Sequence, residues 1–245
     1  LLVFICIYRK LKMKKNKILN KQLALPFQFV KLQNQQNFLI NSCNKMAISL
    51  IEELDDVENF KEKYTNPVLI IHGPEGSGKS HLAHIFKQKK NAIFINKIEN
   101  QHLALVKNGK NFIFDDFEKQ IKIDEKKLFH FLNETYTGKG SVLLLSKFAP
   151  SKMKCKLPDL NSRIRGLMNA EITLPNDQIL YSFLVKILDE KNINLTDKHC
   201  LYIIKRIKRN YKSVLKFVEE LDRYTLEINK KISTTHLREV LFLLK

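Results

Sequence analysis

Apolar and polar residues alternate along this chain with two different periods. Between residues 68 and 174, short apolar runs rich in β-branched and aromatic residues recur: Val68-Leu69-Ile70-Ile71, Ala92-Ile93-Phe94-Ile95, Phe112-Ile113-Phe114 and Val142-Leu143-Leu144-Leu145. Each has the length and composition of a strand buried on both faces. The pattern predicts strands at 68–72, 92–95, 111–115, 141–145 and 171–174. It predicts helices near 45–54, 79–88, 125–137 and 159–165, with Asp124 capping the third. Strands alternating with helices imply a parallel sheet covered on both sides. After Pro175 the strands stop. A one-sided stripe (Leu180, Phe183, Leu184, Ile187, Leu188) follows Asn176, and further helices open at Thr196, at Asn210 and at Ser233 or Thr234. The expected architecture is α/β: a five-stranded parallel sheet at 38–174, then a small four-helix lid at 175–245.

The segment joining the first strand to its helix changes this from a fold class into a chemistry. Gly73-Pro74-Glu75-Gly76-Ser77-Gly78-Lys79-Ser80 is G-x-x-x-x-G-K-[ST], placed between a buried strand and a helix. Such a turn aims successive backbone N–H groups and the positive helix end at one point, which suits a di- or triphosphate. The expected nucleotide-binding residues are Gly73, Glu75, Gly76, Ser77, Gly78, Lys79, Ser80 and His81. Lys79 would reach the β and γ phosphates, and Ser80 would ligate Mg²⁺. The strand at 112–114 ends in Asp115-Asp116, so Asp115 would complete the Mg²⁺ site and Asp116 would orient an attacking water. The next strand ends in polar Ser146. ATP or ADP with Mg²⁺ is the expected cofactor.

Composition trims the alternatives. The four cysteines show no C-x-x-C spacing, so neither a disulfide framework nor a zinc site is indicated. The net charge of +18 comes from 43 basic residues, of which 36 are lysine, and seven of the positive charges fall in the first 21 residues. Such a lysine bias is a weak argument for nucleic-acid binding. The apolar stretch Leu1–Tyr8 is too short to span a bilayer and lacks a preceding basic region. Residues 1–12 precede Met13 and are expected to be an over-extended reading or a disordered tail, and residues 1–37 a disordered basic tail. The expected compartment is a reduced cytosol.

Two cations outside the loop remain open on residue chemistry alone. Arg163 is one of only seven arginines and follows Leu157-Pro158-Asp159-Leu160-Asn161-Ser162. It is either a surface ion-pairing residue or an arginine directed at a neighbour's γ-phosphate. Lys212 either folds toward the bound phosphates or is one more solvated lysine beside Lys205, Arg206, Lys208 and Arg209.

Residues 73–84, Phe38-Leu39-Ile40-Asn41-Ser42-Cys43-Asn44 and Leu157–Arg163 together resemble the AAA+ ATPases, specifically the DnaA/Hda family. The resemblance covers roughly residues 21–241. It implies that 38–44 lies on the adenine side, that Arg163 occupies the arginine-finger position, and that Ser146 and Lys212 are sensors. Asp116, Ser146, Arg163 and Lys212 are then the catalytic candidates. Two departures, Lys147 where initiators often carry Asp and Lys212 where the family often has arginine, imply weak self-hydrolysis.

Within the family, Gln22-Leu23-Ala24-Leu25-Pro26-Phe27 resembles the peptide with which regulatory members dock on the replicative sliding clamp. Gln22, Leu23, Leu25, Pro26 and Phe27 would carry that contact. The interval of 36 residues from Lys79 to Asp115 leaves little room for the extra helices with which initiators grip single strands, and the sequence given stops with the lid. The resemblance therefore implies a regulator that promotes hydrolysis of ATP on DnaA. Its partners would be DnaA, the DNA polymerase III clamp and, through the clamp, DNA, with no membrane and with self-association left open. The runner-up is a helicase loader or DNA-remodelling ATPase of the DnaC/IstB type. A P-loop small-molecule kinase is less favoured.

Overall fold

The computed structural model describes residues 40–228 and 232–244. The expected clamp peptide (Gln22, Leu23, Leu25, Pro26, Phe27), and residues 38 and 39 of the adenine-side segment, lie outside the described residues.

The described residues open with two helices, α1 (Lys45–Glu53) and α2 (Val57–Tyr64), and then enter β1 (Val68–His72). There follow α3 (Lys79–Lys90), β2 (Ile93–Phe94), α4 (Asn100–Lys107), β3 (Phe112–Phe114), α5 (Phe117–Ile123), α6 (Glu125–Thr137) and β4 (Val142–Ser146). A 3₁₀ turn at Pro150–Lys152 leads to α7 (Pro158–Gly166) and β5 (Met168–Glu171). The five strands form one parallel sheet in the order β2-β3-β4-β1-β5. The first strand is therefore interior, and the order reverses beside it. In open parallel sheets, ligands bind at the carboxyl ends of the strands at such a switch point.

Period-two alternation divides the core. Val68, Ile70, Phe112, Phe114, Val142 and Leu144 face one layer with Phe131, Leu160 and Ile164. Leu69, Ile71, Ile113, Leu143 and Leu145 face the other with Leu50, Phe60, Leu82 and Phe86. All the strand residues named here are fully buried, each worth about 1.5–3 kcal/mol of transfer free energy. Phe131 meets Phe112 and Phe114 edge-on, at centroid distances of 5.8 and 5.6 Å, an arrangement the ring quadrupoles favour.

The last strand is a correction. The β-branched alternation of 171–174 suggests a strand there, but pairing runs from Leu69↔Met168 to His72↔Glu171. This is an edge strand, hydrogen-bonded on one side only, so the half-buried Asn169 and exposed Glu171 are tolerated where apolar residues were expected.

The chain divides into two compact units. One holds the described residues through Phe183 together with Lys208–Lys212. The other holds Leu184–Ile207 and the described residues from Ser213 onward. The second unit is helical: the end of α8 (Asp177–Glu190), α9 (Asp197–Ile204), most of α10 (Tyr211–Ile228) and α11 (Thr234–Leu243). Its buried residues are Leu184, Leu188, Ile203, Val214, Phe217, Val218, Leu221, Leu237 and Val240. Thr196 caps α9 by accepting from the His199 N–H. Ser233 and His236 form a reciprocal capping box at α11.

Candidate nucleotide-binding site

The loop after β1 is shaped by what its backbone must avoid. Gly73 has φ +151°, and a Cβ there would lie 2.1 Å from the Ile172 carbonyl oxygen. Gly76 has φ +79°, and a Cβ there would lie 2.8 Å from the Asn210 Cβ. Only glycine fits both positions. The Gly73 N–H donates to the Ser146 carbonyl at 3.2 Å, tying the loop to the tip of β4. Gly78, at φ 105°, is the N-cap of α3, so the N–H groups of Lys79, Ser80 and His81 fall in a first turn that offers them no intrahelical acceptors.

The side chains converge on the same turn. The Lys79 ammonium donates to the carbonyls of Gly73 (2.7 Å) and Pro74 (2.9 Å). Burial pushes its pKa below the usual lysine range, while the carboxylates of Asp115, Glu118 and Asp116 pull the other way. The Ser80 hydroxyl donates to Asp115 Oδ2 at 3.1 Å, which brings the two expected Mg²⁺ ligands together. Among the described residues no cluster of three or more His, Cys, Asp or Glu could hold a metal. A hard cation at Ser80 and Asp115 would need phosphate and water oxygens to complete its shell.

Two observations test whether a phosphate group fits. Ser77 is buried to 2 % exposure and its Oγ has no hydrogen-bond partner among the described residues, an orphaned donor inside the turn. The first turn of α3, opened by Gly78, presents N–H groups that have no intrahelical acceptors. A polyanion fits both.

The other expected residues are dispersed around this centre. Asp116 sits at φ 53° as the N-cap of α5 and is ion-paired with Lys119. That pairing holds its carboxyl below the usual range. Ser146 is buried, and its Oγ accepts from the Phe148 N–H at 3.0 Å. Arg163 lies on α7, whose start is fixed by Glu125: its two carboxylate oxygens accept from the Lys156 and Leu157 N–H groups, each at 2.8 Å. The Arg163 guanidinium is half-buried over the Phe129 ring, 5.7 Å from its centroid, and meets no carboxylate within 4 Å among the described residues. Lys212 Nζ lies 3.5 Å from Glu75 Oε1, within the unit that carries the loop.

Two residues escape the sequence reading. Glu118 stands three positions after Asp115, accepts weakly from the Lys147 N–H at 3.4 Å, and keeps a buried Oε2 without a hydrogen-bond partner among the described residues. Tyr211 precedes Lys212, is half-buried, and accepts at its hydroxyl from Asn41 Nδ2 at 3.2 Å. An acid one helical turn beyond the paired aspartates is a readable signal for the first. Nothing in the local sequence foretells the second, whose partner is 170 positions away.

Loop, lysine, serine and acid strand define a P-loop nucleotide-binding module at the switch point of a parallel sheet. No protein-family model matches the chain. An uncharacterized protein of Haemophilus influenzae is 25% identical over 236 residues, which are 91% of this chain and 99% of that one. The chromosomal replication initiator protein DnaA of Campylobacter jejuni is 24% identical over 233 residues, 83% of this chain and 52% of the initiator. The chain spans about half the length of the DnaA relatives it matches. Among solved structures, domain III of Thermotoga maritima DnaA superposes with a TM-score of 0.68 at 18% identity, covering 86% of this chain and 95% of the domain. AMPPCP-bound DnaA from Aquifex aeolicus gives 0.63 at 20%, covering 82% and 69%. The fold is that of the DnaA-like AAA+ domain. Among the described residues no helix is long and apolar enough to cross a membrane.

Proposed function

We propose that this protein is an Hda-like AAA+ regulator of chromosomal replication initiation, acting in the bacterial cytoplasm. It binds ATP or ADP through Gly73–Ser80, with Mg²⁺ at Ser80 and Asp115. Through residues 22–27 it docks on the DNA polymerase III sliding clamp, and so reaches DNA indirectly. It then promotes hydrolysis of the ATP held by DnaA.

The observation that carries the reading is Arg163. Its guanidinium has no carboxylate of its own chain within 4 Å among the described residues, and its helix is anchored by buried Leu160 and Ile164 and by Glu125. An arginine held in this way stacks on an aromatic face at little cost and swings to a phosphate oxygen when one is offered. Arginines placed on a partner's transferring phosphate accelerate hydrolysis by roughly 10³–10⁵-fold in other P-loop systems. The chain's own turnover is expected to be slow, because Asp116 is engaged by Lys119.

The test is release of phosphate from DnaA–ATP with and without DNA-loaded clamp. Acceleration that needs both the clamp and this protein, and that Arg163→Ala abolishes without affecting nucleotide binding, supports the reading. No acceleration by the wild-type protein sinks it. Equal retention of wild type and Gln22→Ala/Leu25→Ala on immobilised clamp removes the docking step alone.

A further inference from the structure

Residues 210–212 lie on the phosphate loop at three successive positions, all within one compact unit. Asn210 packs so close to Gly76 that a Cβ on the glycine would meet its side chain at 2.8 Å. Lys212 Nζ lies 3.5 Å from Glu75. Between them, the Tyr211 ring packs edge-on against Phe183, with centroids 4.9 Å apart, and its hydroxyl receives the Asn41 amide. Asn41 belongs to a turn that is itself fixed. Its Oδ1 accepts from the Cys43 N–H at 2.9 Å, and the Cys43 carbonyl accepts from the Thr173 N–H at 3.3 Å, just beyond β5.

The Tyr211–Asn41 hydrogen bond is part-buried, as are Asn210 and Gly76. The Lys212–Glu75 pair is 60% and 71% exposed, and an ion pair in water barely holds two long side chains in place. The position of the Lys212 backbone is therefore set by its neighbour. We infer that Tyr211 is a positioning residue: its hydrogen bond to Asn41 fixes the start of α10 over the phosphate loop, so that Lys212 meets the phosphates of a bound nucleotide. The inference rests on the nucleotide-binding part of the reading above and adds to it a residue that acts through another.

The test measures the affinity of the full chain for adenosine, AMP, ADP and ATP by competition with a fluorescent adenine nucleotide. The variants are Tyr211→Phe, Lys212→Ala, the double variant and Asn41→Leu. If Tyr211 works through Lys212, Tyr211→Phe weakens ATP by roughly two- to fivefold, within the scale of one hydrogen bond, and leaves adenosine unchanged. Lys212→Ala then shows the same dependence on phosphate number, and the double variant is no weaker than Lys212→Ala alone. Asn41→Leu, which also removes the acceptor of the Cys43 N–H, lowers ATP affinity by at least as much as Tyr211→Phe. Additive losses, or equal losses for adenosine and ATP, overturn the inference, because Tyr211 would then act on the base or on the fold. No ATP binding by the wild-type chain is a different result, and it defeats the nucleotide-binding reading itself.

Discussion

The phosphate loop and the 208–212 strap that lies on it use the same side-chain chemistry in opposite settings. Lys79 is half-buried, bonded to two backbone carbonyls, and carries a depressed pKa. Lys212 is exposed and touches one exposed carboxylate. In the loop the backbone prescribes the geometry and the lysine fills it. In the strap a solvated lysine depends on a neighbouring phenol for its place. The same charge can thus bind tightly and locally, or respond cheaply to what is bound.

The comparison breaks first at the loop backbone. Gly73→Ala forces a Cβ into the Ile172 carbonyl at a φ that side chains rarely adopt. We expect it to cost about 3 kcal/mol or more in chemical denaturation. Lys79→Ala is expected to leave folding intact and to reduce ATP affinity about 100-fold, measured by titration with a fluorescent analogue, on the scale of charged hydrogen bonds to phosphate. Lys212→Ala reduces it only about fivefold if exposure governs its strength. An equal loss for the two lysines would erase the distinction.

A smaller effect sharpens the role of Tyr211. Burial pushes its phenol above the ordinary tyrosine range, opposed by the Asn41 hydrogen bond. The folded state then holds the phenolic proton more tightly than the unfolded chain does. The resulting stability is complete below the unfolded pKa and is lost as pH rises through the folded one. Ultraviolet titration should show a phenol ionising above the ordinary tyrosine range that Tyr211→Phe removes. The smallest effect belongs to Glu75→Ala, which removes an exposed pair and should change stability by less than about 1 kcal/mol.

The parts of the fold legible in the sequence are those with a single dominant pattern. β1 and β4 are continuous apolar runs, and α6 begins at a capping aspartate whose carboxylate accepts from the Lys127 N–H. Three helices went unread: α2, α4 and α5. α2 and α4 each bury a single residue, Phe60 and Val106 respectively. Sparse burial leaves too faint a stripe to see. α5 starts directly after Asp115-Asp116, where the end of a strand and its acids dominate the reading. The edge strand was displaced because one-sided pairing tolerates polar residues. In the site, the loop and Asp115 were readable because their chemistry is local. The company kept by Arg163, Lys212 and Glu118 was not, since Phe129, Glu75 and Lys147 reach them only through the tertiary fold.

The hydrogen bond from Gly73 to the Ser146 carbonyl has a kinetic corollary. It joins the first residue of the loop to an interior strand, so this amide can exchange with deuterium only when the sheet itself opens. Amides in the first turn of α3 carry no such lock. An exchange map should therefore show a sharp boundary inside one short peptide. Adding nucleotide should slow the fast side of that boundary and leave the slow side as it was.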